Sequence, residues 1–259
     1  MSQKRIQIAA HKPSPWILRP RPVVSPRLRL FCFAHAGGGA SLFRNWPCGL
    51  SDKVEVCAVQ SPGREERLDD CPYARFDALE QTTADQIKPW LDVPFALFGH
   101  ELGALVAFEL VRRLRRTGLP APVRLIVAGC AAPHLPRSRP PIHRLSDDEF
   151  LDGLAGGLAA VPDAVRRRPD LVARILPGLR ADFTMLETYT YRPEHRLDCP
   201  ITALGGSADP TMPTDALAAW AEHTSTFSQQ MIQGDQFFLF TGETEVLSCL
   251  ANLLSPDYL

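Results

Sequence analysis

The chain has 259 residues, 45% of them apolar, with a net charge near −1. That suits one compact domain with a large core, and it excludes a basic nucleic-acid surface or an anionic-membrane surface. No apolar run approaches the roughly 18 residues of a membrane span, and no signal peptide is visible among the polar first residues. The seven cysteines are scattered without a CxxC pair, so neither a metal site nor a disulfide framework is signalled and a reducing cytoplasm is the expected setting.

Residues 1–25 are rich in proline and basic side chains and read as a peripheral arm with room for one edge strand, followed by a single domain over 26–259. Residues 28–34 form a strand that runs into His35-Ala36-Gly37-Gly38-Gly39. A second strand is expected at 54–59. A helix follows at 77–92, with Leu79, Ile87, Trp90 and Leu91 facing inward. A short buried strand at 94–98 leads through Gly99-His100-Glu101-Leu102-Gly103 into a helix from Ala104 that stops before Gly118 and Pro120, and 122–129 is another strand.

The alternation then breaks. Residues 141–190 carry helix signals and no strand, and Ser146-Asp147-Asp148-Glu149 has the form of a capping box. This reads as a helical lid inserted into the domain. Strands resume at 200–204 and 227–232, and a last helix runs from Glu243 to Leu254. Strands alternating with helices imply a mostly parallel sheet covered on both faces.

Four loops carry the chemistry. Gly99-His100-Glu101-Leu102-Gly103 has the glycine spacing of a strand–turn–helix elbow, whose central side chain stands exposed at the top of a sheet. That residue is Glu101. The glycine-rich turn after the first strand offers backbone N–H donors at Ala36 and Gly37, to which the N–H of Leu102 adds a third. His35 lies in the same turn and can reach the pocket, whereas His100 is expected to serve the core. Asp209, in Gly205-Gly206-Ser207-Ala208-Asp209-Pro210, and Gln236, in Gly234-Asp235-Gln236-Phe237-Phe238, follow the last two strands. Gln236 has two amide hydrogens with which to bridge Glu101 and Asp209.

With these motifs the chain resembles the type II thioesterases of polyketide and nonribosomal peptide pathways, over about residues 28–252. The matching segments include Phe-Ala-His-Ala-Gly-Gly-Gly-Ala (33–40), Gln-Ser-Pro-Gly-Arg-Glu-Glu-Arg (60–67), Phe-Ala-Leu-Phe-Gly-His (95–100), Gly-Ala-Leu-Val-Ala-Phe-Glu-Leu (103–110) and Gly-Asp-Gln-Phe-Phe-Leu (234–239). The resemblance implies an α/β-hydrolase core with a lid. It also implies an acyl substrate presented on a carrier protein's phosphopantetheine arm or as a free polyketide intermediate, and no cofactor. In that family a serine stands where this chain has Glu101 and a histidine where it has Gln236, and Asp209 matches the acid.

Three readings follow. Glu101 acts as a general acid or base in a non-hydrolytic step such as cyclisation, elimination or isomerisation; or it is a carboxylate nucleophile in an editing hydrolase; or the protein is an inactive accessory that binds carrier protein or product. Arg64 and Arg67 either meet the phosphate of the arm and carrier acids or brace their own loop by ion pairs. Among the lid side chains Phe150, Leu151, Leu154, Phe183, Met185, Leu186, Tyr189 and Tyr191, a subset is expected to line an apolar acyl pocket.

Overall fold

The computed structural model describes residues 14–137 and 140–255. Its elements are β1 (Ile17–Leu18), β2 (Leu28–Phe33), β3 (Val54–Val59), α1 (Phe76–Ile87), β4 (Phe95–His100), α2 (Leu102–Arg116), β5 (Arg124–Ala128), α3 (Asp147–Gly153), α4 (Asp163–Arg166), α5 (Pro169–Thr188), β6 (Ile201–Gly206), α6 (Thr214–Ala218), β7 (Phe227–Ile232), α7 (Phe238–Thr241) and α8 (Glu243–Leu253). The sheet order is β1-β3-β2-β4-β5-β6-β7, and every pairing is parallel except β1 with β3. This is the α/β-hydrolase architecture the sequence announces.

The period-2 alternation of the strands explains the layering. Along β2, Leu28, Leu30 and Cys32 face one layer with Phe43, Trp46, Phe238 and Leu250, while Phe31 and Phe33 face the other with Ile87, Leu105, Phe108 and Trp220. Both faces are dry, so the strands read as near-continuous apolar runs.

Two boundaries differ from expectation. The helix expected over 77–92 ends at Ile87, because Pro89 cannot continue the hydrogen-bond ladder, and a 3₁₀ turn carries Trp90 inward. The arm is not wholly peripheral: Trp16 and Ile17 are buried, and β1 closes the sheet edge against β3. The rest of the arm call, residues 1–13, lies outside the described residues.

The segment expected as a lid holds α3, α4 and α5 and has its own small core of Phe150, Leu151, Leu154, Leu176 and Leu179. Its entry is fixed by the capping box: Ser146 Oγ accepts from the Glu149 amide, and the Glu149 carboxylate accepts from the Ser146 amide. The incoming chain hangs on α5, where Glu187 accepts from the amides of Ile142 and His143 and Arg180 donates to the carbonyls of His143 and Leu145. The outgoing chain is pinned to α2: Tyr189 donates to Glu109, and the guanidinium of Arg112 spans Glu109, Glu194 and the Arg192 carbonyl. Among the described residues no helix is long and apolar enough to cross a membrane, and all seven cysteines are free.

Candidate active site

β4 ends at His100 and α2 begins at Leu102, so Glu101 alone makes the reversal. It does so at φ 50 and ψ −111, a left-handed conformation that non-glycine residues rarely hold. The turn closes only because its flanks lack side chains. A Cβ on Gly99 would stand 2.2 Å from the Gly103 carbonyl oxygen, and one on Gly103 would stand 2.3 Å from that of Phe33. The Glu101 amide donates to Ala128 on the neighbouring strand at 2.9 Å, and its carbonyl accepts from Ala104 at 3.0 Å.

The Glu101 side chain does not cap α2. It crosses to the glycine-rich loop, where its Oε2 accepts the backbone N–H of Ala36 at 3.1 Å. Leu102, whose amide opens α2, is buried beside it, so Glu101, Ala36 and Leu102 meet where β2 and β4 end. The next amide of the loop, Gly37, is turned away to the lid: it donates to Asp182 Oδ2 at 2.7 Å.

Asp209 and Gln236 lie on adjacent loops after β6 and β7, joined by the Ala208 amide donating to the Gly234 carbonyl at 2.8 Å. The bridge expected from Gln236 to Glu101 and Asp209 is not formed. Gln236 Nε2 donates instead to the Gly156 carbonyl of the lid, and Asp209 Oδ1 closes its own turn by accepting from the Thr211 amide and hydroxyl, each at 2.7 Å. The lid carbonyl offers the amide a closer acceptor than either carboxylate.

Both nearby histidines are held in the neutral form at neutral pH. His35 is 7% exposed, and burial pushes its pKa down to about 4, with Asp182 opposing and Arg64 reinforcing that shift. His100 is fully buried in edge-to-face contact with His35 and Phe238, which places it in the core as expected; burial holds it well below the usual histidine range. Cys130 is in electrostatic contact with Glu101, but burial, reinforced by that carboxylate, raises its thiol to about 12, so it is no thiolate nucleophile. Arg137 adds a positive charge within reach of Glu101 and Glu187.

The two arginines brace their loop. Arg64 pairs with buried Asp182 at 2.7 Å and donates to the Gly38 carbonyl at 3.0 Å. Arg67 pairs with Asp70 at 2.8 Å, donates to the Gln60 carbonyl at 3.1 Å and lies over the Trp16 ring. The terminal nitrogens of Arg64 and the Nε and one terminal nitrogen of Arg67 are engaged within the protein, which favours the bracing role over the phosphate contact. Of the lid side chains, Phe150, Leu151 and Leu154 pack inside the lid, while Met185 joins Leu102, Val106, Leu79 and Thr83 around a cleft beneath the glycine-rich loop. Asp182 went unnoticed in the sequence because a single acid in an amphipathic helix looks solvated. Among the described residues no cluster of His, Cys, Asp or Glu is arranged to hold a metal.

The thioesterase domain family model matches residues 28–254. The gramicidin S biosynthesis protein GrsT of Aneurinibacillus migulanus is 37% identical over 92% of this chain and 93% of its own. The type II thioesterase BorB from the borrelidin biosynthetic cluster superposes with a TM-score of 0.83 at 34% identity, covering 95% of this chain and all of that one. The RedJ thioesterase from the prodiginine pathway of Streptomyces coelicolor superposes at 0.79 with 37% identity, covering 90% of this chain and 88% of that one.

Proposed function

The chain belongs to the thioesterase domain family, and on that premise we propose that Glu101 is the general base of a non-hydrolytic step on an acyl intermediate of a polyketide or nonribosomal peptide pathway. Its relatives' pathways supply the substrate class, an acyl group on a carrier protein or a late intermediate released from one.

The observation that carries the reading is the Ala36 N–H donated to Glu101 Oε2 at 3.1 Å. Acyl transfer by a thioesterase serine needs a hydroxyl, a base to take its proton, and free amides to receive the tetrahedral oxygen. Here the turn presents a carboxylate, the Gln236 amide cannot accept a proton near neutral pH, and the carboxylate lies on the amide that would receive the oxygen. The same arrangement suits proton abstraction beside a carbonyl. Glu101 takes the proton, the electron pair moves onto the carbonyl oxygen, and the amides of Ala36 and Leu102 receive the charge as the newly neutral carboxyl lets go. Cyclisation, elimination and isomerisation all begin this way.

As a carboxylate nucleophile Glu101 would form an anhydride whose hydrolysis needs an activated water, and the acylated Glu101 could not itself activate it.

The test is wild type beside Glu101→Gln on a panel of acyl-carrier thioesters and free late intermediates, read by mass spectrometry. Glutamine keeps an acceptor for Ala36 and so preserves the turn. Conversion without acid release, abolished by Glu101→Gln, supports the base. Release of free acid moves the assignment to the nucleophile. Unchanged substrates with both proteins, and retained carrier binding, leave a binding accessory.

A further inference from the structure

The loop that supplies Ala36 is held from above by the lid. Asp182, in the fourth turn of α5, is 1% exposed. Its Oδ2 accepts the Gly37 N–H at 2.7 Å, and its Oδ1 accepts from Arg64 at 2.7 Å. Arg64 returns to the same loop through its bond to the Gly38 carbonyl, and its own carbonyl accepts from Gln60 Nε2, whose Oε1 accepts the Ala40 amide at 2.7 Å. Gly37, Gly38 and Ala40 are therefore clamped in one buried polar set that spans 145 residues of sequence. The helix is seated close enough to do this because Gly178 has no side chain: a Cβ there would meet the Gly63 carbonyl oxygen at 2.3 Å.

The Gly37 N–H belongs to the Ala36–Gly37 peptide, which meets the His35–Ala36 peptide carrying the Ala36 N–H at the Ala36 Cα, so holding the first plane through Asp182 leaves only the φ and ψ of Ala36 to turn the second. We propose that Asp182 is a positioning residue through which the lid helix α5 sets the Ala36 N–H against Glu101. The lid then does more than cover the site. A displacement of α5 releases Gly37, frees the loop to turn, and takes the donor away from Glu101. The proposal deepens the reading of Glu101 as a base, since its catalytic consequence rests on that reading.

The experiment is backbone amide hydrogen exchange on the full chain, resolved at Ala36 and Gly37. In Asp182→Leu, exchange at both amides rises about tenfold, the scale of one lost hydrogen bond, while the amide of Val127 in β5 keeps its rate. In a Glu101→Ala background the Ala36 amide has already lost its acceptor. Asp182→Leu then adds little at Ala36 and still acts at Gly37. A residue that only stabilised the fold would move all three amides together and would not care about Glu101. Should the uncompensated Arg64 charge keep Asp182→Leu from folding, the paired Arg64→Met/Asp182→Leu variant removes both charges and carries the same expectation. An unchanged Ala36 rate, or a uniform rise across the sheet, overturns the proposal. Because activity is not the readout, an active Glu101→Gln enzyme would sink the base and leave the exchange result standing.

Discussion

Glu101 Oε2 accepts the backbone N–H of Ala36 at 3.1 Å, so the elbow side chain sits on a donor that an acyl-transfer site holds open for its substrate's oxygen. The contact ties together two segments 65 residues apart and makes the carboxylate part of the loop's own hydrogen bonding. Its consequences for chemistry are open to direct measurement.

On the reading of Glu101 as a base, serine-type hydrolysis needs two changes. Glu101→Ser frees the Ala36 amide but leaves no base, because Gln236 donates to Gly156 and its amide oxygen does not take a proton. Glu101→Ser with Gln236→His is expected to release thiol from a short acyl thioester at least about 10²-fold faster than Glu101→Ser alone. Thiol release followed by a chromogenic disulfide reads this directly, and equal rates for the two variants would show that the turn no longer presents a nucleophile.

The elbow glycines tolerate nothing larger. Gly99→Ala and Gly103→Ala each drive a Cβ to within 2.3 Å of a carbonyl oxygen. A loss of about 3 kcal/mol is expected for each, at the upper end of overpacking, and shows as a lowered urea midpoint. Wild-type stability in either variant would mean that the turn relaxes.

Arg112 is an anchor rather than a surface charge. It is 2% exposed and its guanidinium serves Glu109, Glu194 and a main-chain carbonyl at the end of the lid. Arg112→Met leaves Glu109 buried with the Tyr189 hydroxyl as its hydrogen-bond donor, and should cost about 3–5 kcal/mol. The paired Arg112→Met/Glu109→Met variant should recover much of that loss, since both charges leave together. Urea unfolding of the three proteins checks the sign as well as the size.

Acid should loosen the fold before the carboxylates titrate. His35 and His223 are both held near 4: burial lowers each, Asp182 opposes and Arg64 assists at His35, and His134, Arg112 and Arg196 assist at His223. A histidine whose folded pKa lies below its unfolded value binds protons preferentially when unfolded. The stability it contributes is therefore complete above about pH 6.5 and is lost as the pH falls toward 4, by up to about 3 kcal/mol per ring. His223 packs among Phe108, Tyr191 and Trp220, so His223→Phe keeps the ring and removes the proton site. The fall in stability between pH 6.5 and 4.5 should be shallower in that variant, and an unaltered slope would refute the assignment.

Much of the core was legible because period and punctuation agreed. The apolar runs at 28–34 and 54–59 became β2 and β3, buried throughout, and the Ser146–Glu149 spacing became a closed capping box. The glycines at 99 and 103 located the turn because only their absence of side chain permits it. The partners of Gln236 and Asp182 were hidden for one reason. Each is decided by where the lid comes to rest, and that depends on Gly178 against Gly63 and on a core formed among residues far from either side chain. A polar side chain announces its type in sequence, but not which of several acceptors a docked helix will bring near.

The lid's separate core also has an engineering meaning. Residues 142–188 carry their own core and meet the elbow and the neighbouring loops through nameable contacts: Asp182 with Gly37 and Arg64, Leu179 beside Gly37, Gly178 with Gly63, Met185 beside Leu102, and the Gly156 carbonyl with Gln236. A cassette taken from a homologue can be grafted onto this scaffold if those interfaces are kept. Side chains elsewhere in the cassette are then free to vary, and selectivity for the acyl group can diverge while the sheet and its elbow stay untouched.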